Sequence, residues 1–133
     1  MQQLKKDLKL GNEGEIKILE VIKKYFNENI ESSVDKFSKY DFYSDNCMYE
    51  LKTRRNSYEE YPTTIMPYDK ILDDIGKKQI FLFNFTDGLY YIEYDALLFE
   101  EFEIKSFRRY DRGTIDKLKL YVYIPIKKLI KII

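Results

Sequence analysis

Hydrophobic residues recur at helical spacing near the amino terminus of this 133-residue chain. The repeat is three or four positions, and its members are Ile18, Leu19, Ile22 and Phe26. This spacing predicts an amphipathic helix over residues 12–26, with Gly11 and Asn12 marking its start. Lysines occupy the other side, so one face of the helix is expected to pack and the other to meet solvent.

Runs of apolar, β-branched and aromatic residues predict strands through most of the remaining chain. They lie at residues 32–36, 40–43, 47–53, 79–85, 89–94, 102–109 and 118–124. Ser44-Asp45-Asn46 is a turn signal that joins the second and third of these strands into an antiparallel hairpin. Thr86-Asp87-Gly88 predicts a second hairpin in the same way.

Two more helices complete the predicted order of elements. Residues 68–75 have helical apolar spacing with Gly76 just past the end, and Pro125 opens a last short helix. The order α-β-β-β-α-β, with an extra C-terminal hairpin or strand and a short helix, predicts an α/β fold with a mixed central sheet flanked by helices. No linker or low-complexity stretch interrupts it, so one domain spanning residues 1–133 is expected.

The charge composition restricts how the chain can bind nucleic acid. Lys plus Arg total 23 and Asp plus Glu total 23, which gives zero net charge and excludes a protein-wide positive field. Any such binding must use local basic clusters, most of which are ordinary solvated faces. Arg108, Arg109 and Arg112 form one cluster, a candidate contact with a DNA backbone.

Two residue types are informative because they are scarce. There is no histidine, and Cys47 is the only cysteine. Histidine-based catalysis, imidazole metal sites and disulfides are therefore excluded, and carboxylates and lysines must carry any catalysis. No signal or membrane-spanning run is present, so a cytoplasmic protein is expected. Abundant Tyr, Ile, Lys and Asn suggest A/T-rich coding, as in a virus or a low-GC microbe.

The first hairpin is predicted to bring acidic residues together. If Asp45 and Asn46 are the central turn residues, Asp41 lies directly opposite Glu50 on the neighbouring strand. Lys52 follows two residues after Glu50, so strand alternation places it on the same face. The outcome is a cluster of two acids and one amine. An exposed cross-strand ion-pair ladder is the competing interpretation.

Glu15 is the predicted fourth member of this cluster. It precedes Ile18, Leu19 and Ile22 by three, four and seven residues, which places it on the apolar stripe that faces the sheet. The competing interpretation is a capping box, in which Glu15 folds back on Asn12 at the start of the helix.

At these residues the chain resembles the PD-(D/E)XK nuclease superfamily, including small resolvase-like and phage- or virus-encoded enzymes. The resemblance covers about residues 11–85 in topology. Its motifs are Gly11-x-x-x-Glu15, Tyr40-Asp41-Phe42 and Glu50-Leu51-Lys52, with Tyr40 at the position where the fullest pattern has proline.

The resemblance implies a metal-dependent endonuclease that cleaves DNA with activated water. Its metal, Mg²⁺ or Mn²⁺, would be held by Asp41, Glu50 and the Leu51 carbonyl, with help from Glu15. Lys52 would orient water or stabilise the transition state, so the expected catalytic set is Glu15, Asp41, Glu50 and Lys52. Enzymes of this kind that cut both strands usually act as homodimers.

The segment after the motif carries candidate substrate contacts. Arginine and hydroxyl side chains suit phosphate, and tyrosine can stack on bases. The candidates are Arg54, Arg55, Tyr58, Thr63 and Thr64. Strand alternation places Arg54 on the face of Lys52, so Arg54 is favoured over Arg55 as a substrate contact. In the competing interpretation the arginines are ordinary surface charges and the tyrosines are structural.

Two functions therefore stay open. The first is a metal-dependent phosphodiesterase acting on DNA, and the second is a non-catalytic nucleic-acid-binding or protein-interaction module on the same fold. A structural or accessory protein with an accidental E-x-K triplet is a weaker third. The acid, acid and lysine set favours the enzyme, because a pure binder has no need to oppose Asp41 and Glu50.

Overall fold

The computed structural model describes residues 2–33, 40–72, 76–107 and 119–133, with the backbone alone for residues 2–13 and 107. Its first element is helix α1, Gln2–Phe26. The expected start near Asn12 is wrong, because the preceding Gln, Leu and Lys residues are good helix formers and extend the helix. The helix ends before Asn27, whose positive φ of 52° is typical of a helix terminus.

Strands account for most of the remaining described chain. They are β1 (Glu31–Ser32), β2 (Phe42–Tyr43), β3 (Cys47–Thr53), β4 (Thr63–Pro67), β5 (Lys78–Phe85), β6 (Gly88–Glu93), β7 (Glu103–Phe107), β8 (Lys119–Pro125) and β9 (Ile130–Lys131). Helix α2 spans Ala96–Phe99, and 3₁₀ turns lie at Tyr68–Lys70 and Ile126–Lys128. Among the described helices, none has the length and apolar content needed to span a bilayer.

The strands form two sheets. The main sheet has the order β1-β2-β3-β5-β6-β9, and the second has the order β4-β8-β7. β3 and β5 pair in parallel, from Cys47 opposite Lys78 to Thr53 opposite Asn84, whereas the other neighbours in the main sheet are antiparallel. The chain is thus an α/β protein with a mixed central sheet, as the pattern of elements predicts.

The segment between β3 and β5 differs from its prediction. Strand β4 is present where no strand is predicted, and the helix expected over residues 68–75 is reduced to one 3₁₀ turn. The turn stops at Ile71, whose backbone is extended. The side chain of Gln79 hydrogen-bonds both the N–H and the C=O of Leu72, in place of the backbone partners that a continuing helix would supply. Tertiary hydrogen bonds thus outweigh helical spacing here. Residues 73–75 lie outside the described part.

The first strands are shorter than predicted. The strand expected over residues 32–36 is described only as β1, and residues 34–36 lie outside the described residues. β2 contains Phe42–Tyr43 rather than residues 40–43. By contrast, β3 has the predicted bounds, and β5 and β6 agree with their predictions to within one residue.

The two faces of the main sheet carry separate hydrophobic clusters. On the helix face, Ile18 and Ile22 of α1 pack with Tyr49 and Leu82. On the opposite face, Met66, Phe81, Phe83, Val122 and Ile124 join β5 to the second sheet. Because side chains alternate along a strand, Glu50 lies on this second face, here called the sandwich face.

Candidate active site

Glu50 is a buried carboxylate in the middle of β3. Only 5% of the residue is exposed, and its Oε1 accepts two ammonium contacts. Lys52 Nζ lies at 3.2 Å and comes from the same strand, as alternation predicts. Lys70 Nζ lies at 3.5 Å and comes from the 3₁₀ turn after β4. Two distant segments therefore converge on one carboxylate oxygen.

Asp41 is the second acid of the cluster. It is exposed, and its Oδ2 accepts a 2.8 Å hydrogen bond from the backbone N–H of Leu51, between Glu50 and Lys52. Its negative charge is close enough to raise the pKa of Glu50. Asp41 is therefore near Glu50, and its hydrogen bond with the Leu51 amide is a contact that the sequence pattern does not reveal.

The pairing of Asp41 differs in detail from the predicted register. Phe42 pairs with Tyr49 and Tyr43 with Met48, which confirms the register of the hairpin. The ladder stops there, because the N–H of Asp41 also donates to the carbonyl of Tyr49, at 3.0 Å. Asp41 is therefore not a regular cross-strand partner of Glu50. This offset lets its carboxylate accept from the Leu51 amide.

The electrostatics of Glu50 are unfavourable to its ionised form. Burial, and then the negative charge of Asp41, raise its pKa, while Lys52 and Lys70 oppose that shift. The phenol of Tyr40 is part of the same environment, and burial together with the charge of Glu50 raises its pKa to about 12. An additional cation between Asp41 and Glu50 would relieve their repulsion.

Carboxylate oxygens are the ligands that a hard divalent cation prefers. Mg²⁺ commonly binds through one or two carboxylates and completes its shell with water and substrate phosphate. Both ion pairs of Glu50 use Oε1, and the Leu51 contact uses Oδ2 of Asp41, so Oε2 and Oδ1 are not engaged in these contacts. Within the described ranges, no group of three or more His, Cys, Asp or Glu residues is placed to share a metal.

Glu15 does not occupy the position that its spacing predicts. Its side chain is exposed, while Ile18 and Ile22 of the same helix are buried. α1 also packs on the helix face of the sheet, opposite the face of Glu50. The expected burial on the sheet-facing stripe is therefore wrong. The capping box with Asn12 is also wrong, because Asn12 lies inside α1 rather than at its start.

Arg54 is held by contacts within the protein. Its Nε donates to Oγ1 of Thr64 at 3.3 Å, and an NH₂ group donates to the carbonyl of Ile65. The guanidinium also lies 5.8 Å from the ring centroid of Phe83, and burial lowers its pKa. These contacts join the end of β3 to β4. The arginine predicted to bind substrate thus has a structural role, and it engages Thr64, another predicted contact.

The remaining substrate candidates differ in their availability. Tyr58 stacks on Tyr90 with ring centroids 4.1 Å apart, and its hydroxyl donates to the carbonyl of Ile126. Its structural interpretation is therefore favoured. Arg55 is exposed and Thr63 is half-buried, so both can still reach a ligand. The Arg108, Arg109 and Arg112 cluster lies outside the described residues.

Lys70 is the member of the site that sequence reasoning missed. It lies in a segment where a helix is predicted, and no motif links it to Glu50. Only the fold of the β3–β5 connection brings its ammonium to the carboxylate. Its positive charge is the only signal that the sequence offers, and many lysines of this chain share that property.

Comparison with protein families, curated proteins and solved structures finds no match to the chain. The resemblance to the PD-(D/E)XK superfamily therefore stays a prediction, which rests on the motif residues of the sequence.

Proposed function

We propose that this chain is a metal-dependent nuclease that cleaves DNA at the Asp41–Glu50–Lys52 cluster. The observation that carries the proposal is the burial of Glu50 beside a second acid and two ammonium groups. Burying a charged cluster is unfavourable unless every charge is well compensated. A carboxylate held with its ionised form disfavoured is typical of functional sites.

Each side chain has a role that its surroundings support. Asp41 and Glu50 would hold Mg²⁺ or Mn²⁺, and the bound ion would supply a nucleophilic hydroxide and neutralise charge on the scissile phosphate. The Leu51 N–H keeps Asp41 oriented beside Glu50. The side chain of Lys52 is 25% exposed, so its ammonium can contact Glu50 and an incoming phosphate from one position.

The proposal is tested by cleavage of a panel of substrates with purified protein. Supercoiled plasmid, linear duplex, single-stranded DNA, a four-way junction and RNA are incubated with Mg²⁺, Mn²⁺ or EDTA. Lys52→Met removes the proposed catalytic ammonium and preserves its aliphatic stem. Lys105→Met is the matched control, because Lys105 also pairs with a nearby acid, Glu103 at 3.0 Å, but on exposed β7.

We expect cleavage of at least one DNA substrate with metal, none with EDTA, and a loss of about a thousandfold in Lys52→Met. Lys105→Met should match the wild type. Turnover that survives complete chelation, or equal rates in wild type and Lys52→Met, would overturn the mechanism. Absence of cleavage on every substrate would instead favour the non-catalytic module, with Glu50, Lys52 and Lys70 as a structural ion-pair cluster.

A further inference from the structure

Lys70 occupies a defined place beside the proposed catalytic lysine. Its Nζ and that of Lys52 lie 3.5 and 3.2 Å from the same oxygen of Glu50. Their side chains are 31% and 25% exposed, whereas that of Glu50 is 6% exposed. The carboxylate therefore lies beneath two ammonium groups that both reach solvent.

A hydrogen-bond clamp fixes the segment that carries Lys70. The side chain of Gln79, buried on β5, accepts from the N–H of Leu72 at 2.8 Å and donates to its C=O at 2.7 Å. The hydroxyl of Tyr40 donates to the same Gln79 oxygen at 2.6 Å. Buried amide contacts of this kind are costly to break. The clamp therefore holds the end of the 3₁₀ turn against the sheet, with Lys70 above Glu50.

The charges explain what such an arrangement can bind. One carboxylate oxygen carries only about half of a negative charge, so it cannot neutralise two ammonium groups that share it. Asp41 is a second, exposed negative charge near Glu50. When a divalent cation offsets the two acids, the two lysines become the uncompensated charges of the site. Phosphate oxygens are the usual partners of such ammonium groups.

We propose that Lys70 is a second phosphate-binding residue of this site, which contacts a backbone phosphodiester of the nucleic-acid strand held at Asp41 and Glu50. This inference rests on the nuclease proposal for its substrate class. Lys70 adds a phosphate contact from outside the strand that carries Glu50 and Lys52. Gln79 holds the segment of Lys70 in place, and both lysines contact the same oxygen of Glu50.

The test measures binding as well as cleavage. Fluorescence anisotropy gives the affinity of wild type, Lys70→Gln, Lys70→Arg and Lys105→Gln for a labelled single strand and a labelled duplex, at a fixed concentration of Ca²⁺ as the divalent cation and over a range of salt concentrations. Each lost phosphate contact lowers the slope of log affinity against log salt by about 0.7 for single strands and 0.9 for duplex. Circular dichroism and thermal melting confirm that each variant folds.

We expect Lys70→Gln to weaken binding about tenfold and to lower the salt slope by one contact. Lys70→Arg should restore both values and Lys105→Gln should change neither, an outcome that a purely structural lysine would not give. A wild-type affinity and slope in folded Lys70→Gln would overturn the inference, even if the protein cleaves DNA. If binding depends on Lys70 but no substrate is cleaved in any metal, the nuclease proposal fails and the phosphate contact stands. Absence of nucleic-acid binding by the wild type would overturn both.

Discussion

Glu28 and Glu50 lie near the same strand, β3, in opposite environments. Glu28 follows α1 and accepts hydrogen bonds from the hydroxyls of Ser44 and Tyr49, at 2.5 and 3.1 Å, and a longer one from Asn46. These neutral donors, Ser44 most strongly, lower its pKa. The fold therefore favours the ionised form of Glu28, as expected of a carboxylate that fixes a turn.

Glu50 contacts charges instead of neutral donors. In the described part of the chain, its polar side-chain contacts are the ammonium groups of Lys52 and Lys70, with Asp41 as a like charge nearby. Burial raises its pKa, so the fold disfavours the form that a metal would bind. The difference separates a carboxylate whose ionised form the fold favours from one whose ionised form the fold disfavours.

The largest expected effect is on cleavage. Glu50→Gln removes a proposed metal ligand while preserving size, so we expect cleavage to fall by about a thousandfold. Glu28→Gln should retain cleavage, because the side-chain hydrogen-bond partners of Glu28 among the described residues lie in the hairpin and its turn. Initial rates with Mn²⁺, measured on the same DNA substrate and at a temperature where both variants are folded, compare them directly. Equal losses in both variants would remove the distinction between the two acids.

The same two variants should change stability in opposite directions. Glu28→Gln weakens hydrogen bonds to a charged acceptor and should lower stability by about 1 kcal/mol, or roughly 4 °C in Tm. Glu50→Gln removes a disfavoured buried charge, and its partly exposed lysines can then turn to solvent. We therefore expect a higher Tm for metal-free Glu50→Gln than for wild type. A lower Tm for this variant would show that the ion pairs outweigh burial.

The pH dependence of these differences follows from the two pKa shifts. A lowered pKa means that ionised Glu28 stabilises the fold above its ordinary value of 4.5, and this advantage over Glu28→Gln is lost as the pH falls through its lowered pKa. A raised pKa means that ionised Glu50 destabilises the fold. The advantage of Glu50→Gln should therefore be full above the raised pKa and vanish below 4.5. Denaturant unfolding across this range checks both signs, and pH-independent differences would contradict them.

The smallest expected change in the stability of the metal-free protein comes from Asp41→Asn. The amide can still accept from the Leu51 N–H, so the contact survives while the repulsion with Glu50 disappears. We expect a slightly higher Tm without metal and no stabilisation by added Mn²⁺. The wild type should gain about 2.7 kcal/mol at a hundredfold excess of Mn²⁺ over its Kd. A clearly less stable variant that still responds to Mn²⁺ would make Asp41 a structural residue.

Local patterns predict the part of the site that one hairpin builds. The turn at Asp45 and Asn46, the register of Phe42 with Tyr49, and the shared face of Glu50 and Lys52 follow from strand alternation and turn chemistry. Tertiary contacts determine the rest. Gln79 replaces helical hydrogen bonds at Leu72, so the predicted second helix is shortened and the position of Lys70 is hidden.

Glu15 and Arg54 also depart from their predicted positions, because the packing around each residue is not visible in the sequence. Glu15 has the spacing of the apolar stripe, but spacing alone does not locate the edge of the buried face, and the structure leaves this residue exposed. The prediction that Arg54 is exposed and contacts phosphate assumes that no strand packs against it. Since β4 forms, Thr64 and Ile65 bind the guanidinium instead.

The most direct test of the central claim is calorimetric titration of Mn²⁺ into metal-free wild type, Glu50→Gln and Glu28→Gln. If Glu50 binds the metal and Glu28 stabilises the fold, wild type and Glu28→Gln should bind Mn²⁺ with the same affinity. Glu50→Gln should bind at least about tenfold more weakly, because one charged oxygen ligand is lost. Equal binding by Glu50→Gln and wild type, or loss of binding in Glu28→Gln alone, would contradict the assignment of the metal to Asp41 and Glu50.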